Sequence, residues 1–193
     1  TFNSNANSIV SGTGTWALND VTLTKSVSTA NYLEIQSTGF ESAIATLSVT
    51  YGTFIHNNSG SYAINSSGGA FTIDANTIFK EQQGTVNFSP SSNYLYLYGA
   101  LYVSGGSVNI GSSSGNNGIR YNKTGTPKPY LEISGGDVNV YGGISYESGA
   151  GSDPFGYKMT GGTLTVNSGS SGTSVEAFLI NDVSGSSFYM SDG

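Results

Sequence analysis

The chain has 193 residues, of which 36% are hydrophobic and only 9% charged, with a net charge of −6 and no cysteine. Lacking cysteine, it has no disulfide framework, thiolate metal site or cysteine nucleophile. Its six basic residues (Lys25, Lys80, Arg120, Lys123, Lys128 and Lys158) form no basic stripe, which argues against nucleic acid and anionic membrane surfaces as partners.

Gly, Ser, Thr and Asn take the place of the missing charges. A disordered polar tract has that composition but is poor in aromatic residues, whereas this chain carries 13 Tyr and 9 Phe. Apolar and polar residues alternate in short runs, the period of a strand with one buried face. No apolar run approaches the ~20 residues of a membrane-spanning helix.

Taken in chain order, the segments share one sentence. SGTGTWAL (11–18) is a first, loose copy, and VTYGTFIH (49–56) and EQQGTVNF (81–88) follow. VSGGSVNI (103–110), ISGGDVNV (133–140), MTGGTLTV (159–166) and VSGSSFYM (183–190) match residue for residue in kind. SSGGAFTI (66–73) falls between two copies, either as the same strand and turn on another face or as a sign of a different register in the first third. Each copy is a strand end, a glycine corner and a second strand, since glycine accepts the positive φ of a tight corner. Further strands lie between copies, as in GIRYN (118–122) and GISYE (143–147). VEAFLIND (175–182) is the nearest approach to a helical stripe, and a strand also covers it.

Self-similarity at 20–50 residues marks stacked repeats. In a solenoid each residue sits about 4.8 Å above its counterpart one coil earlier, so like falls on like. The expected fold is therefore all-β: a right-handed parallel β-helix of about six to seven irregular coils. It spans residues 1–193 as a single domain, read as a slice of a longer chain or a filament unit, with the register before residue 49 left open. One inward ladder is predicted through Val108, Val138, Leu164 and Phe188, and a second through Ile110, Val140, Val166 and Met190. A coil alone cannot bury its apolar side, so its first partners are neighbouring repeats or copies of itself.

Outward positions are where function would reside. Tyr102, Glu132 and Lys158 are expected in one exposed column, with a Glu–Lys surface pair. Asn87, Asn109 and Asn139 are expected to stack as an amide ladder, a structural device. In YLYLYG (94–99), inward Leu95 and Leu97 leave Tyr94, Tyr96 and Tyr98 outward. With Tyr102 these are the candidate ligand-binding surface, because tyrosine joins an apolar face to a polar tip.

Signals for chemistry are weak. His56 is the only histidine and stands beside two Asn rather than in a catalytic pattern. The acids are scattered, and Asp137 falls on an outward position opposite Ser107 and Thr163. No calcium-loop motif is present. No catalytic residue, metal or cofactor is assigned. Asn57, Asn65, Asn87 and Asn122 stand in glycosylation sequons, about as many as chance gives in this composition.

The phrase VSGGSVNI…ISGGDVNV…MTGGTLTV resembles the loosely repeated coils of bacterial β-helix surface proteins. These include autotransporter passengers, filamentous haemagglutinin-like adhesins and gliding-type adhesins. The resemblance covers residues 49–190 and is one of pattern. It implies an extracellular right-handed β-helix with an adhesive or scaffold role, and it carries over no functional residue. The expected function is a non-enzymatic adhesin stalk or filament segment at the cell surface, with cell-surface glycans or proteins as outside partners. The alternatives are a polysaccharide-active β-helix enzyme and a glycan-binding module.

Overall fold

The structure, a computed structural model, describes residues 1–14, 20–25, 28–37, 46–64, 70–88, 94–111, 118–121, 128–147, 154–166 and 187–191. Among them, period-two alternation and glycine corners give sixteen strands that wind around three faces. Every strand pairing among the described residues is parallel, and none of these residues is helical.

The first face stacks β1 (Ser8–Val10), β3 (Tyr32–Ile35), the middle of β4 (Thr46–Ile64), the first half of β6 (Thr77–Phe88), β8 (Ala100–Val103), β11 (Tyr130–Ile133), β14 (Gly156–Met159) and β16 (Ser187–Met190). The second face continues from the ends of β4 and β6 to β9 (Ser107–Ile110), β12 (Asp137–Val140) and β15 (Thr163–Val166). The third carries β5 (Phe71–Ile73), β7 (Leu95–Leu97), β10 (Ile119–Tyr121) and β13 (Ile144–Tyr146). Beside the start of β4 lies β2 (Asp20–Thr24). The described strands make five turns, carried by β4, β5–β6, β7–β9, β10–β12 and β13–β15. The chain is a parallel β-solenoid, as the repeat requires.

Like does fall on like. Val108, Val138 and Leu164 are register partners, as are Ile110, Val140 and Val166. Val108, Val138, Ile110 and Val140 are fully buried. Aromatic residues stack the same way: Phe54 and Phe79 are register partners with ring centroids 5.2 Å apart, and the Tyr157 ring lies 5.0 Å from that of Phe188.

The repeated Gly-Gly has a steric cause. Gly106, Gly136 and Gly162 have φ of 67°, 74° and 79° at the same corner of successive coils. A Cβ on Gly136 would lie 2.5 Å from the carbonyl oxygen of Gly106, and one on Gly162 would lie 2.4 Å from that of Gly136. Backbone rests on backbone, so a side chain is excluded by crowding as well as by dihedral.

Two copies sit elsewhere than the sequence suggests. Residues 53–56 of VTYGTFIH pair with Ile78–Glu81 on the first face, and the counterpart of TVNF on the second is Ser61–Ile64. The strand end of VSGSSFYM also belongs to the first face: Phe188 lies over Tyr157 and Met190 over Met159, not over Leu164 and Val166. The cause is the same in both. A glycine corner followed by alternating residues is local chemistry that serves at more than one corner, so the motif cannot name its face. SSGGAFTI does hold a third-face strand, β5. VEAFLIND, residues 15–18 of the first copy, Asn65 and Asn122 lie outside the described residues.

Near the start, the side chain of Lys25 is buried. Its ammonium donates to the Ala6 carbonyl at 2.7 Å, Ser8 Oγ at 2.9 Å and Ser4 Oγ at 3.3 Å, tying residues 4–8 to the next coil. Burial lowers its pKa.

Candidate functional site

Three groups of side chains stand out from the repeat, two on the surface and one in the core.

On the third face, fully buried Leu95 and Leu97 point inward and leave Tyr94, Tyr96 and Tyr98 half-buried on the outside. Their centroids are 6.4 and 6.0 Å apart along the row. Arg120, the register partner of Tyr96 one coil on, lays its guanidinium 4.6 Å from the Tyr94 ring centre. It also donates to Tyr94 Oη at 3.3 Å and to Ser145 Oγ. At the other end Tyr98 Oη donates to Glu147 Oε2 at 3.1 Å. Burial, with Glu147 beside it, pushes the Tyr98 hydroxyl up to about 12. The row is thus held at both ends by ionic partners, so less side-chain entropy is lost on contact with a ligand.

Tyr102, the fourth candidate, is not part of that row. It lies on the first face, in an outward column that runs Glu34, Ile55, Lys80, Tyr102, Glu132, Lys158 and Tyr189. Lys158 Nζ meets Glu132 Oε1 at 2.9 Å, the expected pair, and this bond raises the pKa of Lys158. The neighbouring outward column runs Ile78, Ala100, Tyr130 and Gly156. Because Ala100 is short, the surface dips between Ile78 and Tyr130. A groove of about 400 Å³ opens there, lined among others by Ala100, Tyr102, Lys128, Tyr130 and Glu132. The Tyr102 and Tyr130 rings, with centroids 5.8 Å apart and planes inclined at 52°, touch and form one aromatic side of it. Burial and the Glu132 carboxylate raise the Tyr130 hydroxyl. The sequence places Tyr102 and Glu132 on the outward column, whereas Tyr130 and Lys128 carry no local signal beyond the Tyr that heads YLEIS (130–134).

On the second face the amide ladder forms. Asn109 Nδ2 donates to Asn87 Oδ1, and Asn139 Nδ2 to Asn109 Oδ1, each at 2.9 Å. Asp137 is exposed between Ser107 and Thr163.

The third group is buried. The inward column at the end of the first face reads Val10, Ile35, His56, Glu81, Val103, Ile133 and Met159. His56 and Glu81 replace apolar rungs, both with side chains 0% exposed. Nδ1 of His56 is 2.6 Å from Glu81 Oε2, while His56 Nε2 and Glu81 Oε1 have no hydrogen-bond partner among the described residues. Burial, opposed by the neighbouring Asn58 side chain, lowers His56 to about 4. Burial raises Glu81 to about 9. The pair therefore holds one proton and no net charge over that range. The signal was an acid at the first position of EQQGTVNF, where the four matching copies hold Val, Ile or Met.

Among the described residues no three His, Cys, Asp or Glu side chains gather as a metal-binding group, and no helix is long and apolar enough to cross a membrane. The chain matches no family model, no curated protein and no solved structure.

Proposed function

We propose that the chain is part of a secreted or cell-surface solenoid, structural and adhesive rather than enzymatic. The observation that carries this reading is the parallel stack, in which equal side chains recur in register on successive coils. Such a stack has backbone hydrogen bonds along its axis, resists bending and proteolysis, and presents outward columns at a fixed spacing. A glycosidase uses two carboxylates that flank the scissile bond. The outward acids favour the other reading: Glu132 is bonded to Lys158, and Asp137 has Ser107 and Thr163 as its stacking neighbours.

The test is electron microscopy of the native material together with limited proteolysis. Straight rods or fibres that survive protease support the reading. Release of sugar from an acidic polysaccharide by the purified protein overturns it.

A second reading, a glycan-binding module, draws on the tethered row Tyr94, Tyr96 and Tyr98. A sugar stacks its C–H face on such rings and meets their hydroxyls at the edge. Loss of oligosaccharide retention in Tyr96→Ala, with the melting profile unchanged, supports it. Equal retention removes it.

A further inference from the structure

The chain has no cysteine, so no disulfide fastens one coil to the next. Coils of a solenoid hold only their neighbours, and every contact between coils is a place where the stack can part. Tyrosine offers another covalent strut, because two phenols in contact couple when each loses an electron. The chain has 13 Tyr, and the contacts between their rings decide which pair suits this role.

The rings of Tyr94, Tyr96 and Tyr98 meet along a single coil, at 6.4 and 6.0 Å, so a link there would join no two coils. Tyr62, Tyr121 and Tyr157 are buried, out of reach of an oxidant. Tyr102 and Tyr130 differ on both counts. They stand on β8 and β11, parallel partners in adjacent coils. Their rings touch, with centroids 5.8 Å apart. Both side chains are half-buried and border the open groove.

The surroundings suit coupling. The register partners of Tyr130 are Ala100 on one side and Gly156 on the other. A Cβ on Gly156 would lie 2.4 Å from Tyr130 Cδ2, so the ring occupies space that only a glycine leaves open. The Glu132 carboxylate, register partner of Tyr102, hydrogen-bonds the Tyr130 hydroxyl. It is placed to take the phenol proton as the electron leaves.

We propose that Tyr102 and Tyr130 form a modification site, at which a peroxidase-type one-electron oxidant working with hydrogen peroxide joins the two rings as dityrosine. Each phenol gives up one electron and its hydroxyl proton and becomes a phenoxyl radical. The two radicals pair at ring carbons ortho to oxygen, forming one C–C bond. Each bonded carbon then passes its hydrogen to the oxygen of its own ring, which restores both phenols. Two electrons and two protons leave in all, and they reduce one peroxide to two waters. The link closes the chain between residues 102 and 130, restricting the unfolded state as a disulfide does. Its purpose rests on the reading of the chain as a structural rod, whereas its chemistry does not.

The test is oxidation of the full chain by a haem peroxidase with hydrogen peroxide, at a dilution that keeps molecules apart. Peptide mapping by mass spectrometry should find the Tyr102 and Tyr130 peptides joined with the loss of two hydrogen atoms, and the product should show dityrosine fluorescence. The linked chain should melt several degrees above the untreated chain. Tyr102→Phe and Tyr130→Phe keep the ring and remove the phenol, so each should lose the joined peptide and the gain in melting point. Tyr96→Phe should keep both. Melting profiles before oxidation show whether each variant is folded, and either one suffices if the other is not. Coupling at other tyrosines without the 102–130 link, no coupling at all, or a gain in melting point that survives in Tyr130→Phe overturns the proposal. Rods without the link would sink this site alone. The link in a protein that forms no rod would sink the structural reading alone.

Discussion

His56 and Glu81 occupy the same inward position of consecutive coils, and the imidazole Nδ1 lies 2.6 Å from the carboxyl Oε2. Ile35 lies below them in the column and Val103 above. In that apolar setting one shared proton is cheaper than two separated charges. Burial therefore moves the two groups in opposite directions, His56 to about 4 and Glu81 to about 9.

Stability should depend on pH in a defined way. The ordinary values are 6.5 for His and 4.5 for Glu. Between these the unfolded chain holds one proton on the two groups and so does the folded pair, so stability is flat. Above 6.5 the unfolded chain holds none while the folded pair keeps its proton until about 9. Stability then falls with rising pH by about 1.4 kcal/mol per unit. Below 4.5 the unfolded chain holds two protons and the folded pair takes its second only near 4, so stability dips as pH falls. Denaturant melts across this range check the profile. An optimum near pH 8 would contradict it.

Removing one partner and removing both should differ in sign. Glu81→Val strands a neutral imidazole and costs about 1–3 kcal/mol, whereas His56→Leu with Glu81→Val restores an apolar ladder and is neutral or stabilising. The double variant should also lose the alkaline slope. A double variant as unstable as the single one would show that the pair itself supports the fold.

The glycine corner offers a sharper contrast. Gly136 has a φ of 74°, and a Cβ there would lie 2.5 Å from the Gly106 carbonyl oxygen. Ala at this position adds dihedral strain of about 1–3 kcal/mol and a backbone clash. At Gly14 a Cβ meets nothing within 4 Å among the described residues. Gly136→Ala should lower the melting point by several degrees and Gly14→Ala should not. Equal effects would contradict the stacked corner.

The amide ladder predicts graded losses. Asn109 takes part in two ladder bonds, to Asn87 and from Asn139. At about 1 kcal/mol per bond, Asn109→Ala should cost about twice as much as Asn139→Ala. Melts of the two variants and of their combination measure this. A near-zero cost for Asn109→Ala would mean that water replaces the ladder without loss.

In the core, Leu131→Ala empties a rung between Leu101 and Tyr157, all three almost wholly buried. It should cost about 2–5 kcal/mol in a denaturant melt. Asp137→Ala, on an exposed outward position, should stay within about 0.5 kcal/mol.

The sequence by itself determined the strands, their inward and outward faces, and the stacking of VSGGSVNI, ISGGDVNV and MTGGTLTV. These rest on local causes: the two-residue period of a strand and the glycines at its corner. The same causes made the Asn87–Asn109–Asn139 ladder and the outward row of Tyr94, Tyr96 and Tyr98 legible before any fold was known. Only the tertiary structure decided which face each copy occupies. Thr53–His56 and Ser187–Met190 obey the local pattern yet belong to the first face, because pairing depends on how much chain each intervening turn consumes. It alone brought His56 to Glu81 across 25 residues. It alone gathered Ala100, Tyr102, Lys128 and Tyr130 from different coils into one groove, since no periodicity along the chain records which side chains meet across the stack.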